Sequence, residues 1–140
     1  MRVASEPRAG ARRCAWHARR QPPTRCPSQP SQVDLEPFGR TLLIDGLIQS
    51  CQCDEFVYHE CLVHPALLAH PNPKSIFIGG GGEGSTAREC LRHKTVERVV
   101  MVDIDEAVVA FCKEHLPENT AAFADKRLEL VIDDAKVCTC

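Results

Sequence analysis

Residues 76–84 read Ile-Phe-Ile-Gly-Gly-Gly-Gly-Glu-Gly, and residues 99–103 read Val-Val-Met-Val-Asp. An apolar strand that enters a glycine turn, followed by a helix and a second strand ending on an acid, is typical of α/β folds that bind nucleosides. Consecutive glycines cost conformational entropy on folding, so a close approach to a ligand explains them better than a tight turn with no ligand.

The same rhythm continues to the end of the chain. Strands are predicted at 75–78, 98–102 and 128–132, and helices at 85–93 and 106–116. Alternating strands and helices indicate a parallel sheet with crossover helices. We therefore predict an α/β fold with a Rossmann-like, methyltransferase-like parallel sheet over residues 74–140, of which the chain holds the N-terminal half.

A small β-hairpin and helix region is predicted before this sheet, over residues 34–73. Asp45-Gly46 is a strong hairpin turn signal between apolar strands at 40–44 and 47–53. A helix follows to residue 70, with Asp54 as its expected N-cap. Pro65 lies inside that helix and is expected to kink or divide it.

The first 33 residues differ from the rest in composition. They contain seven arginines, five prolines and one acid, whereas residues 34–140 carry eighteen acids against ten lysines and arginines. This composition predicts a disordered tail, which is either a transit peptide or a gene-model artefact. The acidic remainder argues against nucleic-acid binding, and no apolar run is long enough to cross a membrane. A cytoplasmic protein is expected, with organellar targeting as the alternative.

Nine cysteines are scattered along the chain. Their odd number and the absence of a secretory signal favour reduced thiols. Zinc could in principle be bound by the cluster Cys51, Cys53, His59, Cys61 and His64. The spacing of these residues matches no paired-cysteine knuckle, which argues against a zinc site. Buried small side chains explain these residues better, and we predict no metal site.

Charge distinguishes the ligand classes that a glycine loop can hold. Glu83 lies inside the loop, where a carboxylate would repel a pyrophosphate and favour an ammonium or sulfonium. This disfavours NAD and favours an S-adenosyl ligand. Asp103 suits the hydroxyls of a ribose, and Asp134 suits an adenine amino group. Helix capping is the alternative for both acids, and Asp105 could supply the first cap instead.

About a hundred residues of the chain resemble the spermidine and spermine synthase family of polyamine aminopropyltransferases. The motifs that carry the resemblance are FGRTLLIDGLIQS (38–50), DEFVYHECLVHPALLAHPNP (54–73), GGGEGSTARECLRHKTVE (80–97) and DIDEAVVAFC (103–112). The variants GGGEGSTARE and DIDE are most similar to those of thermospermine synthases.

The resemblance implies transfer of an aminopropyl group from decarboxylated S-adenosylmethionine to a polyamine such as spermidine or putrescine, with no separate cofactor. Tyr58 would face the amine acceptor. The implied donor-binding residues are Gln49, His59, Gly80, Gly82, Glu83, Gly84, Asp103, Asp134 and Ala135. Ala135 replaces the glycine that is usual in the family. Without the resemblance, helix packing would explain Tyr58 and His59, and Gln49 would be a surface strand residue.

The family's catalytic aspartate is expected beyond residue 140, so no catalytic residue is assigned in this chain. The first strand of the parallel sheet, at 75–78, is expected to be an open edge, which is prone to aggregation. Two alternatives stay open. One is an inactive partner of a full-length synthase, joined to it as a homo- or heterodimer through residues 35–70. The other is an S-adenosylmethionine-dependent methyltransferase.

Overall fold

A computed structural model describes residues 2–4, in backbone only, and residues 28–136. The strands are β1 Arg2–Ala4, β2 Pro30–Leu35, β3 Gly39–Ile44, β4 Leu47–Cys51, β5 Ser75–Gly79, β6 Arg98–Asp103 and β7 Leu128–Ile132. The helices are α1 Glu55–Ala69, α2 Ser85–Leu91, α3 Glu106–His115 and α4 Thr120–Phe123, and a single 3-10 turn at Pro117–Asn119 precedes α4.

The larger sheet has the strand order β1-β5-β6-β7, and β5, β6 and β7 are parallel. Ile76 and Ile78 of β5 and Met101 of β6 are buried against α1 and α2. Val63 and Leu67 of α1 join this core. Strand β5 buries alternate residues, β6 buries four consecutive ones, and α1 buries residues at helical spacing. The predicted α/β fold with a parallel sheet is confirmed.

The smaller sheet is antiparallel, in the order β2-β3-β4. The predicted hairpin turn is confirmed, since Asp45 and Gly46 both have positive φ, at 53° and 76°, as a type I′ turn requires. Leu42 of β3 is buried with Val108 and Cys112 of α3. This contact holds the small sheet over the parallel one and forms one wall of the site.

Two expectations about the N-terminal residues need correction. Strand β2 begins at Pro30, inside the predicted tail of residues 1–33. It is held by backbone pairing with β3, although three of its six residues are polar and three are exposed. Strand β1 pairs antiparallel with β5 at three residues, so the edge that was expected to be open is covered there. The rest of the predicted tail lies outside the described residues. The division at residues 33 and 73 stays a prediction.

The helix ends also differ in part from expectation. Helix α1 continues through Pro65 and is not divided. Asp54 occupies the N-cap position of α1, as predicted, but its side chain makes no capping hydrogen bond. Its carbonyl oxygen accepts from Val57 N at 3.0 Å. In the part of the chain that the structure describes, no helix has the length and apolar character needed to cross a membrane.

Candidate functional site

An open cavity of about 1020 Å³ lies between the hairpin, the start of α1 and the carboxyl ends of β5 and β6. Six carboxylates line it, from Asp45, Asp54, Glu55, Glu83, Asp103 and Asp105. Among the described residues that line it, none is a lysine or arginine. Because opposite charges attract strongly where water is partly excluded, this lining favours a cationic ligand.

The glycine loop after β5 is shaped by close contacts at two positions. A Cβ on Gly82 would lie 2.8 Å from Asp103 Oδ2 and 2.9 Å from a methyl carbon of Val109. Gly84 has φ +95°, and a Cβ there would lie 2.7 Å from the Phe123 ring. Only glycine fits either place without movement. The loop therefore lies directly against the end of β6 and against α4.

Asp103 ties this loop to the following strand. Its Oδ2 accepts a hydrogen bond from Gly82 N at 2.7 Å, and its Oδ1 accepts from Asp105 N at 2.9 Å. Asp103 lines the cavity but does not cap α3. A carboxylate oxygen has room for a second hydrogen bond, so Asp103 can still receive two hydroxyl groups.

Asp105 caps α3, and Asp103, the other candidate from the sequence, does not. Its Oδ1 accepts from Ala107 N at 3.0 Å and Val108 N at 3.2 Å, and its Oδ2 accepts from Ser28 N at 2.9 Å. Partial burial alone raises the pKa of Asp105, but the hydrogen bonds from Ser28, Val108 and Ala107 together outweigh it and hold the pKa below its ordinary value.

Glu83 and His59 meet in the cavity although 24 positions separate them in the sequence. One ring nitrogen of His59 and one carboxylate oxygen each of Glu55 and Glu83 lie within 4.8 Å of one another. Ser85 Oγ donates to Glu83 Oε1 at 2.6 Å. Acceptors gathered this closely suit an ammonium group, which has only donors to offer.

The same three side chains are one of two clusters in the described residues that could hold a metal ion; the other is Glu60, His64 and Glu89. Both clusters already have cationic partners, because Arg88 donates to Glu55 at 2.8 Å and Arg92 to Glu89 at 2.7 Å. Neither cluster contains a cysteine. Within residues 28–136, Cys51, Cys53 and Cys61 belong to no such cluster with His59 or His64.

Gln49 and Tyr58 also line the cavity, and both are exposed. Gln49 Nε2 donates to the Leu47 carbonyl at 3.3 Å. The Tyr58 ring lies edge-on to His59, with ring centroids 5.1 Å apart. Both side chains therefore lie at the solvent-exposed mouth of the cavity.

Asp134 and Ala135 do not line the cavity. Asp134 Oδ1 accepts from Lys136 N at 2.9 Å and so closes a local turn. Ala135 lies beside the loop, since its Cβ would be 3.6 Å from a Cβ on Gly79. Gly80 and Gly84 lie in the loop without lining the cavity, whereas Gly82 lines it.

Sequence reasoning missed three residues that hold the site together: Glu55, Arg88 and Asn119. Arg88 donates to Glu55 at 2.8 Å and to Asn119 Oδ1 at 2.9 Å. Glu55 lies in the first turn of α1, where an acid is common and gives no signal of a binding site. Arg88 forms part of the quoted motif GGGEGSTARE, so that motif was the available signal. Asn119 lies in the 3-10 turn, which no periodicity predicted.

The part of the chain that contains the site matches known proteins. The family model "Spermine/spermidine synthase domain" matches residues 55–138. The chain is 62% identical over 104 residues to thermospermine synthase of Arabidopsis thaliana, covering 74% of this chain and 31% of that protein. It is 57% identical over 101 residues to polyamine aminopropyltransferase 1 of Hyperthermus butylicus, covering 71% and 35%.

Solved structures give the same result. The crystal structure of spermidine synthase from Thermotoga maritima superposes with a TM-score of 0.74 at 34% identity, covering 77% of this chain and 37% of that one. A spermidine synthase in complex with the transition-state analogue AdoDATO gives 0.73 at 35% identity, covering 76% and 36%. The chain thus spans about a third of the length of the relatives that it matches. This chain belongs to the spermine/spermidine synthase domain family.

Proposed function

We propose that this chain serves polyamine biosynthesis by binding decarboxylated S-adenosylmethionine for aminopropyl transfer to a polyamine. The observation that carries the proposal is the acidic cavity in which Glu83 and His59 lie together beside the glycine loop. A donor of this kind has an ammonium, a sulfonium and a nucleoside. The cavity offers carboxylates for the cations and Asp103 for the ribose.

The residues divide between the two substrates. Glu83 and His59 would bind the aminopropyl ammonium, and Gly80, Gly82 and Gly84 would shape the loop beneath the sulfonium. Gln49 would contact the donor from the hairpin. Asp134 and Ala135 would lie toward the adenine, and Tyr58 at the mouth would face the acceptor, for which spermidine and putrescine are the candidates.

In the transfer, the acceptor nitrogen forms a bond to the aminopropyl carbon next to sulfur. The bond from that carbon to sulfur breaks, and its electron pair stays on sulfur, which leaves neutral methylthioadenosine. The acceptor nitrogen must lose a proton to a base. We assign that base to none of the residues 28–136.

Association with a second synthase chain is a further part of the proposal. Leu47 and Ile48 on β4 expose 69% and 57% of their surface, and exposed apolar side chains of this size favour a partner. A homodimer, or a heterodimer with a full-length synthase, would cover them. We place the chain in the cytoplasm, where decarboxylated S-adenosylmethionine and polyamines would meet it.

Calorimetric titration of the full chain with three ligands tests the donor assignment. We expect decarboxylated S-adenosylmethionine to bind more tightly than S-adenosylmethionine, because the extra carboxylate of the latter would face an acidic cavity. Methylthioadenosine, which lacks both cations, should bind through its nucleoside alone.

The variant Glu83→Gln should weaken binding of the decarboxylated donor about tenfold or more, since a charged hydrogen bond is lost. Glu114→Gln is the matched control, because its side chain is 77% exposed on α3 and does not line the cavity. A preference for S-adenosylmethionine would favour the methyltransferase alternative. Folded chain that binds none of the three ligands would reject the proposal.

A further inference from the structure

Arg88 lies behind the cavity and contacts both sides of it. Its Nη2 donates to Glu55 Oε1 at 2.8 Å and to Oε2 at 3.0 Å, and its Nη1 donates to Asn119 Oδ1 at 2.9 Å. A guanidinium has donors and no acceptor. Every group that it touches must therefore present an oxygen, and this requirement orients each partner.

One arm of this network leads to Glu83. Since Asn119 presents Oδ1 to Arg88, its Nδ2 is directed the other way, where it donates to Ser85 Oγ at 2.9 Å and to the Glu83 carbonyl at 3.0 Å. Ser85 Oγ in turn donates to Glu83 Oε1 at 2.6 Å. Asn119 is completely buried, so no water competes for these bonds. Each donor points toward Glu83. Within residues 28–136 no group donates to Glu83 Oε2, so this oxygen is open to a ligand.

The other arm leads to His59. Its Nδ1 lies 2.8 Å from the Glu55 carbonyl oxygen and 2.7 Å from Glu55 Oε2. A carbonyl oxygen can only accept, so Nδ1 must carry the proton. In the neutral imidazole the other nitrogen, Nε2, is then a bare acceptor.

That bare nitrogen faces the cavity. Within residues 28–136, Nε2 of His59 has no hydrogen-bond partner, yet no buried side-chain nitrogen or oxygen in this range lacks one. Nε2 must therefore reach open space, and the open space at His59 is the cavity that Glu83 also lines. A lone pair and a carboxylate oxygen thus converge from opposite arms of one network.

We propose that Arg88 and Glu55 are positioning residues that hold His59 in its Nδ1–H tautomer and Glu83 in its acceptor orientation. The two together form a subsite for the terminal ammonium of the donor. This inference rests on the proposed function and deepens it. Were the tautomer reversed, Nε2–H would point a donor at an ammonium that has only donors, and binding would be opposed.

Two variants test this role. In Glu55→Gln, the amide NH₂ must face either Arg88 or His59, so one arm loses an acceptor. Arg88→Lys keeps the charge but cannot bridge Glu55 and Asn119 with one planar fork. We expect each variant of the full chain to weaken binding of decarboxylated S-adenosylmethionine about tenfold, the size expected when one charged hydrogen bond is lost.

Binding of methylthioadenosine, which has no ammonium, should change less than about twofold in the same calorimetric titrations. Glu60→Gln is the control, since it makes the same chemical change on the same helix at a residue that does not line the cavity. Equal weakening of both ligands would show a merely structural role and overturn the proposal. Unchanged binding of both would overturn it as well.

Nitrogen-15 NMR of histidine-labelled chain at about pH 8 supplies a readout independent of ligand binding. The His59 signals, identified by their loss in His59→Gln, should show a protonated Nδ1 and a bare Nε2. A protonated Nε2 in the unmodified chain would overturn the positioning role, even if a variant fails to fold. Failure of every ligand to bind, with the expected tautomer present, would instead reject the proposed function alone.

Discussion

The two ends of the proposed donor site, its cation end and its adenine end, are built in different ways. At the cation end, α1, the glycine loop, α2 and the 3-10 turn are cross-linked by hydrogen bonds between residues 31 to 36 positions apart. At the adenine end, Asp133 and Asp134 are held by bonds one or two residues long and by one backbone contact to Asp103. The cation end is therefore held in place before any ligand binds. Because its carboxylates need not be ordered on binding, they favour a cationic ligand.

Glu89 should give the largest effect, because it is the buried anion beneath the cation end. It is 1% exposed and accepts from Arg88 at 2.9 Å and from Arg92 at 2.7 Å. Glu89→Gln leaves both arginines short of a charge, so we expect a loss of about 3 kcal/mol in unfolding free energy. Urea titration followed by circular dichroism measures it. A loss below about 1 kcal/mol, as for an exposed pair such as Arg98 with Glu129, would contradict the rigid cation end.

The pH dependence of the unfolding free energy is a second test of the contribution of Glu89. Burial alone raises the pKa of Glu89, but the hydrogen bonds from Arg92 and Arg88 outweigh it and leave the pKa below its ordinary 4.5. The stabilisation from Glu89 is therefore complete above pH 4.5 and is lost as the pH falls through the folded-state pKa. Unfolding free energies measured from pH 7 downward should fall less steeply in Glu89→Gln than in the unmodified chain. Parallel curves would contradict this.

Alanine substitutions at two loop glycines distinguish the cost of backbone strain from the cost of packing at the cation end. An alanine at Gly84 meets both a φ of +95° and the Phe123 and Asn119 side chains, at 2.7 and 3.2 Å. Gly80 has φ +83° but open space around it. We expect Gly84→Ala to cost about 2–3 kcal/mol and Gly80→Ala about 1 kcal/mol in thermal or urea unfolding. Equal costs would show that Phe123 moves freely and that packing against α4 does not shape the loop.

Affinity should show the same asymmetry between the two ends. Glu83→Gln at the cation end is expected to weaken binding of decarboxylated S-adenosylmethionine about tenfold or more, whereas Asp134→Asn should weaken it less than about threefold, because the Asp134 carboxylate already closes its own turn. Parallel calorimetric titrations compare them. A larger effect at Asp134 would mean that the adenine end selects the ligand.

Ala135→Gly is the smallest change and restores the residue that is usual in the family. The Ala135 Cβ lies 3.6 Å from the place that a Cβ on Gly79 would take, an ordinary van der Waals distance, so the methyl group does not crowd the glycine loop at Gly79. We expect affinity for methylthioadenosine to stay within about twofold of the unmodified chain. A gain of tenfold would show that Ala135 obstructs the adenine end.

Most of the fold could be predicted because its signals are local. The strands at Ser75–Gly79 and Arg98–Asp103 are short apolar runs, and the turn at Asp45 and Gly46 has its own residue signature. Strand β2 was missed because half of its residues are polar and it is held by pairing with β3. Asp54 is the N-cap residue, as predicted, but its side chain makes no capping bond, because a suitable residue type does not ensure that its side chain turns back onto the helix.

What the sequence determined by itself is the type of chemistry. A carboxylate at position 83 inside a glycine loop and acids at strand ends predict a cation-bearing nucleoside as the ligand, because charge and spacing are properties of the chain alone. The tertiary structure alone decided which side chains complete the site. His59 meets Glu83, and Arg88 joins Glu55 to Asn119, only because α1 packs on α2 and the 3-10 turn lies beneath the loop. Contacts over such separations leave no periodic signal in a sequence.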